Sequence, residues 1–172
     1  INLTVNTAKQ FHRICPLDGV LTVGTDASQT VAAVADALNL PGIPFEVAER
    51  ATDKIKMRQV LQEKGVPVPA FRPIWTLEDC RQAINDMPLP LVIKPCDNMG
   101  ARGVRKIESI DDLVPAFREA KEASISGKLI LEEFMEGVEL SLDALVYENE
   151  IHITGVADRI IERAPYCVEV GH

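Results

Sequence analysis

Leu89-Pro90-Leu91-Val92-Ile93-Lys94-Pro95-Cys96-Asp97-Asn98-Met99-Gly100-Ala101-Arg102-Gly103-Val104 is the stretch on which the reading of this chain turns. Residues 89–93 have the length and composition of a buried strand, and Lys94 stands at its end. A loop with two glycines, an alanine and Arg102 follows. A second short strand, apolar and basic, reads over residues 104–107. Glycine lets a backbone fold tightly and brings its N–H groups close to a ligand. Lys94 and Arg102 add positive charge beside those groups, and the combination can hold a polyphosphate. Lying between two strands, the loop fits a hairpin that closes over a nucleotide. An ordinary hairpin turn would carry the same residue types. The two commoner phosphate loops, Gly-x-x-x-x-Gly-Lys-Ser/Thr and a Gly-x-Gly-x-x-Gly opening a helix, are absent from the sequence.

Composition narrows the function classes. The chain has 172 residues, enough for one full domain or two small ones with a true core. Its apolar fraction of 47% is that of a globular protein. No apolar run approaches membrane-spanning length, and no signal peptide is visible. The net charge of −8 argues against nucleic acid or an anionic membrane as the main partner. A site for ATP would then have to gather its cations locally, and Lys54, Lys94 and Arg102 are the candidates. The cysteines, Cys15, Cys80, Cys96 and Cys167, form no Cys-x-x-Cys pair. Free thiols in a reducing cytoplasm are expected, rather than a zinc site. His12, His152 and His172 are dispersed and suggest no metal cluster.

From the start of the chain, residues 1–5 alternate weakly and fit a strand or a cut end, and residues 7–14 fit one or two helical turns. Residues 18–24 read as a short buried strand. Thr25 or Asp26 can cap the next helix, which has Val31, Val34, Ala35 and Leu38 on one face. Leu40-Pro41-Gly42-Ile43-Pro44 breaks it. A strand followed by a helix is half of a βαβ unit. Thr52 or Asp53 caps a helix over residues 54–64, which Gly65 ends. Thr76 and Asp79 form a capping box for a third helix, and Ser109 and Asp112 repeat the signature before a helix with Leu113, Phe117 and Ala120 inward. Residues 128–135 read as a strand ending in two carboxylates. Residues 138–147 alternate as a half-exposed strand, Leu140, Leu142 and Ala144 against Glu139, Ser141 and Asp143. Residues 151–161 complete a hairpin, and residues 165–172 read as extended.

Several pieces then fall into one order: Asp53-Lys54 opening a helix, a Gly-Val-Pro-Val-Pro turn, Val-Ile-Lys94-Pro, Gly-Ala-Arg-Gly-Val, Leu-Glu132-Glu133-Phe-Met135-Glu-Gly-Val-Glu139, and a closing Val-Glu-Val-Gly-His. Over about residues 18–172 this order resembles the first half of an ATP-grasp enzyme. The nearest likeness is to the carbamoyl-phosphate-synthase-like and carboxylate–amine ligase branches. The resemblance implies an α/β protein, an ATP-grasp fold fragment preceded by the tail of a Rossmann-like unit. Residues 1–50 would be the C-terminal part of that Rossmann-like domain, and residues 51–172 the N-terminal part of the nucleotide-binding domain.

The resemblance also implies roles. Lys54 and Lys94 would reach ATP phosphates, Lys94 also the adenine side. Gly100, Ala101, Arg102, Gly103 and Val104 would fold over the β- and γ-phosphates. Glu132 would meet the adenine amino group, the backbone of Glu133 and Met135 the adenine edge, and Glu139 the ribose hydroxyls. These residue types suit the chemistry: hydroxyls donate to carboxylates, and phosphates need cations and N–H groups. Each assignment has a plain rival in a solvated charge or a surface ion pair. Asp97 and Asp143 are surface residues placed where they could support the site.

In the family, Mg²⁺ is bound by acidic residues and an asparagine in a later segment, so the metal ligands are expected beyond His172. The chain is therefore expected to be an interior fragment that cannot turn over alone. The whole protein would activate a carboxylate with ATP as an acyl phosphate and pass the acyl group to an amine or similar nucleophile. Bicarbonate phosphorylation of the carbamoyl-phosphate-synthase or biotin-carboxylase type is the alternative within enzymes. A nucleotide-binding module without chemistry is the alternative outside them. Expected partners are ATP and small carboxylate and amine substrates, with neither nucleic acid nor membrane, in the cytoplasm; a homo-oligomer is left open.

Overall fold

The computed structural model describes residues 1–23, 26–148, 150–162 and 168–172. Thr25, Cys167 and the rest of 163–167 lie outside them, and with them one expected helix cap and part of the expected extended end. The chain divides into two compact units, Ile1–Val68 and Pro69–His172.

The N-terminal unit is helical throughout its ordered elements: α1 (Asn2–Ile14), α2 (Ser28–Leu38), α3 (Phe45–Thr52) and α4 (Lys54–Glu63). A single helix replaces the weak strand and short helix expected over residues 1–14. Val5, Ala8 and His12, at helical spacing, form its half-buried side, and α1 packs on α2. Residues 18–23 form no strand; Leu21 and Val23 stand exposed. An apolar run needs a partner strand for its N–H and C=O groups, and the described residues of this unit contain none. The strand half of the expected βαβ unit is therefore missing among the described residues. α2 buries Val34 and Ala35 as expected, with Ala32 beside them. Its N-cap is Ala27, not Asp26, and its C-cap Asn39 is left-handed. α3 was not visible behind the Pro-rich break that precedes it. Asp53 both ends α3 and caps α4, its Oδ1 accepting from the N–H groups of Ile55 at 2.9 Å and Lys56 at 3.1 Å.

The C-terminal unit carries a four-stranded antiparallel sheet in the order β1 (Phe71–Ile74), β4 (Leu129–Glu133), β2 (Leu91–Pro95), β3 (Arg105–Ile107). Helices α5 (Leu77–Asp86) and α6 (Leu113–Ala123) cover one face. Ile74, Leu91, Ile93, Ile107, Leu129 and Leu131 point into that core with Cys80, Ala83, Leu113, Ala116 and Ala120. Both capping boxes form as expected: Thr76 with Asp79 at α5, and Ser109 with Asp112 at the 3-10 turn Ile110–Asp112 that leads into α6. Strand β1 was not expected, and Lys94 lies inside β2 rather than after it.

Two further pairs follow, β5 (Leu140–Tyr147) with β6 (Glu150–Asp158), and β7 (Ile160–Glu162) with β8 (Val168–Gly171). The hairpin over residues 138–158 is as expected, but its burial is not. Leu140 and Leu142 are exposed, like Glu139 and Asp143, while Ser141 between them is half-buried, because no described residue of the unit covers the leucine face. The strand expected over residues 151–161 is two: at Arg159 the chain leaves β6, and the Arg159 N–H donates to the Glu139 carbonyl at 2.9 Å. Cys15, Cys80 and Cys96 are in no disulfide. Burial pushes the Cys80 thiol up to about 12, so it is inert. No described helix is long and apolar enough to cross a membrane.

Candidate functional site

Strand register sorts the sheet into two faces. Leu129 and Leu131 of β4 turn to the helices, so Ile130 and Glu132 turn to the other side. Phe71, Glu132, Val92 and Lys106 stand opposite one another in a single cross-strand row, and Lys94 stands opposite Ile130 in the next. On this second face Lys94 Nζ meets Glu132 Oε2 at 2.5 Å, with side chains 17% and 3% exposed. A carboxylate so buried needs a cation. A carboxylate offers about four lone-pair sites, so Glu132 can hold Lys94 and still accept from an adenine amino group. Lys106, at the end of the row, lies 4.3 Å over the Phe134 ring and 2.7 Å from Glu108 Oε1. Sequence reasoning missed it, although its alternation with the inward Ile107 was the available signal.

The hinge after β4 is partly committed to the sheet. The Glu133 N–H donates to the Ala70 carbonyl at 2.9 Å, and the Phe134 N–H to the Pro90 carbonyl at 3.2 Å. Glu133 Oε2 accepts from the Ala70 N–H at 3.3 Å. An adenine contact by the Glu133 backbone would therefore use its carbonyl, not its N–H. Met135 is exposed.

The loop from β2 to β3 contains three left-handed residues, Gly100, Ala101 and Gly103, with φ of 66°, 57° and 71°. They reverse the chain, and the Val104 N–H closes the turn on the Ala101 carbonyl at 3.1 Å. A Cβ added to Gly100 would meet nothing within 4 Å, so there is open space beside it. Arg102, expected to face phosphates, donates from Nε to Asn98 Oδ1 at 3.0 Å, within its own loop.

Gly100 and Ala101 line a cleft of about 640 Å³, whose other side is Arg159, Glu169 and His172 with the backbone of β8. Arg159 Nη2 meets Glu169 Oε2 at 2.5 Å and Nη1 lies 3.6 Å from Glu139 Oε2; His172 Nδ1 lies 3.6 Å from Glu169 Oε1. The Arg159 hydrogen bond holds the Glu169 carboxyl below its usual range, and Glu169 holds the Arg159 guanidinium above its own. Glu139, expected at the ribose, is thus joined to Arg159. Sequence reasoning gave no role to Arg159, Glu169 or His172. The Val-Glu-Val-Gly-His motif was the signal for the last two.

Of the expected residues, Lys94 and Glu132 are in contact, and Gly100 and Ala101 share a cleft with the Arg159 cluster that includes Glu139. Lys54 opens α4 in the N-terminal unit, directly after its cap. Among the described residues no group of three or more His, Cys, Asp or Glu is gathered to hold a metal ion.

Residues 51–171 match the ATP-grasp domain family. The carbamoyl phosphate synthase large chain of Corynebacterium glutamicum is 26% identical over 140 residues, covering 78% of this chain and 13% of that protein. A D-alanine–D-alanine ligase of Pseudomonas putida is 29% identical over 109 residues, covering 60% of this chain and 34% of the ligase. Among solved structures, the L-amino acid ligase from Bacillus licheniformis superposes with a TM-score of 0.78 at 28% identity, covering 94% of this chain and 37% of that one. The chain thus spans about a third of these ligases and less of the synthase.

Proposed function

The chain belongs to the ATP-grasp family, and from that premise we propose that the whole protein is an ATP-dependent ligase. It activates a carboxylate as an acyl phosphate and transfers the acyl group to an amine or similar nucleophile. The observation that carries this reading is the cleft between the left-handed loop and the Arg159 cluster. One wall is a glycine turn with open space beside Gly100, suited to phosphate oxygens. The other holds a guanidinium, a carboxylate and an imidazole, suited to a small charged acceptor. The similarity to D-alanine–D-alanine ligase and L-amino acid ligase supports the same class of reaction.

In this reading Lys94, Arg102 and the backbone of Gly100, Ala101, Gly103 and Val104 hold the phosphates. Glu132 takes the adenine amino group, Glu133 and Met135 the adenine edge, and Glu139 a ribose hydroxyl. Family members use ATP with Mg²⁺; the metal would neutralise charge on the transferred phosphoryl group. Among the described residues no cluster is gathered to hold it. The loop excludes water from the acyl phosphate when closed. Bicarbonate phosphorylation is the second reading, supported by the similarity to the carbamoyl phosphate synthase large chain.

Calorimetry with ATP, with and without Mg²⁺, tests the proposal on the whole protein and on this chain. We expect saturable binding by the whole protein, weakened about tenfold by Lys94→Ala, the scale of one lost charged hydrogen bond. The 172 residues alone should show no substrate-dependent ATP hydrolysis. A whole protein that binds no ATP, or binds it equally well without Lys94, overturns the site.

A further inference from the structure

Both ends of the phosphate loop are fastened to one place, the C-terminal turn of α6. At the outgoing end, Asp97 Oδ1 accepts from Ser124 Oγ at 3.0 Å and from the Ile125 N–H at 3.3 Å, while Oδ2 accepts from the Ser126 N–H at 2.5 Å. Next to it, Asn98 Nδ2 donates to the Ala123 carbonyl at 2.7 Å, and Asn98 Oδ1 accepts from the Met99 N–H at 2.9 Å and from Arg102 Nε at 3.0 Å. At the returning end, Gly103 lies flat on the same helix. A Cβ there would fall 2.6 Å from Ala123 Cβ and 3.3 Å from Ala120 Cα. Residues 99–102, which carry the loop's lining of the cleft, lie between these two fastenings.

We infer that Asp97 is a positioning residue for nucleotide phosphates: by collecting the donors of residues 124–126 it sets where Gly100 and Ala101 stand over the cleft. The inference rests on the reading that this loop holds ATP phosphates. The residue type fits the task. A carboxylate three residues before a phosphate-binding turn would repel its ligand unless its charge were absorbed. Here the donors of residues 124–126 absorb it, from a turn on the helix side of the loop. Every neighbour is a donor, so both oxygens must accept. Asparagine could accept at only one position and would turn an amide NH₂ against a backbone N–H. Partial burial pushes the carboxyl up, but the hydrogen bonds of Ser126, Ser124 and Ile125 outweigh it and hold it below its usual value. Asp97 touches no reacting group in this arrangement; it acts through the loop.

The test compares ATP with AMP, titrated calorimetrically into the whole protein and its Asp97→Asn variant. AMP lacks the β- and γ-phosphates over which the loop folds. A loss of loop position should weaken ATP about tenfold, the scale of one charge-assisted hydrogen bond, and leave AMP within about twofold. Amide exchange of residues 99–103 in the nucleotide-free protein should quicken. Ser124→Ala removes one of these donors and serves if Asp97→Asn does not fold; it should weaken ATP by about threefold, again without AMP. Glu119→Gln is the control. It breaks the 2.9 Å Arg105–Glu119 pair, which ties β3 to the same helix outside the loop, and should leave the ratio of ATP to AMP affinity unchanged. Equal weakening of both nucleotides, an unchanged ATP affinity in the variants, or the same ratio change in Glu119→Gln overturns the inference. A wild-type protein that binds neither nucleotide overturns the ATP reading itself. That outcome is distinct from a wild type that binds and a variant that binds equally well.

Discussion

Glu132 is 2% exposed, and Lys94 at 2.5 Å is what makes its charge tolerable there. Removing one partner of such a pair costs more than the pair itself contributes. Lys94→Met should therefore lower unfolding free energy by about 3 kcal/mol, and adding Glu132→Leu should recover most of that loss. Urea denaturation of the single and double variants reads both. A single variant as stable as wild type would mean that Glu132 does not depend on Lys94 for its charge. Lys94 and Glu132 were each legible in the sequence, because each charge interrupts or ends an apolar run, although not as partners of one another. The Arg159 cluster was not. Arg159 follows Asp158 directly and looks like half of a solvated pair, while its partners are distant in sequence, Glu139 just before β5 and Glu169 in β8. Only the pairing of β7 with β8, and the turn of the chain after β6, brings them together.

At the scale of elements, local chemistry was readable where side chains bond to their own backbone. The boxes Thr76/Asp79 and Ser109/Asp112 are complete within four residues, so no tertiary contact is needed to form them. Backbone N–H groups of Trp75 and Thr76 hold the Asp79 carboxyl below its usual 3.8, and Ser109 does the same for Asp112. A carboxyl depressed in the folded state contributes stability above its unfolded pKa and loses it as pH falls through its folded pKa. The melting temperature should thus be level from neutrality to about pH 5 and fall below it, and Asp79→Asn should flatten part of that acid limb. An acid limb identical in the variant would show that the box does not titrate in this way. Elements that depend on partners were harder to read. β1 contains Pro73, which argues against a strand; it is tolerated because β1 is an edge strand with only β4 beside it. Residues 18–23 have the opposite fault, an apolar composition with no strand among the described residues of their unit to pair with. The β5–β6 alternation was real as a pattern, yet alternation records which side chains could be buried, not whether anything covers them.

At the scale of the molecule, the two units differ in what they bury. The N-terminal unit encloses Ala32, Val34, Ala35, Ala48 and Ile55, mostly small side chains; the C-terminal unit encloses Ile74, Leu91, Ile93, Ile107, Leu129 and Leu131. Local stability follows buried apolar area. Hydrogen exchange should find the slowest amides in β2 and β4, and those of α1, which buries no residue, among the fastest of the helical ones. Equal protection in α1 and β4 would contradict this ranking. The division also cuts across the family match: α4 lies inside residues 51–171 yet folds with the helices before it. β4 itself faces two ways, Leu129 and Leu131 to the helices, Ile130 and Glu132 to the opposite face of the sheet. A strand built so has an asymmetric tolerance to heritable change. Point substitutions in its leucine layer can be absorbed one at a time. A one-codon insertion or deletion cannot, because it would turn Glu132 into the leucine layer and a leucine toward Lys94 in a single step. Among descendants of this gene, β4 should vary in spelling but not in length.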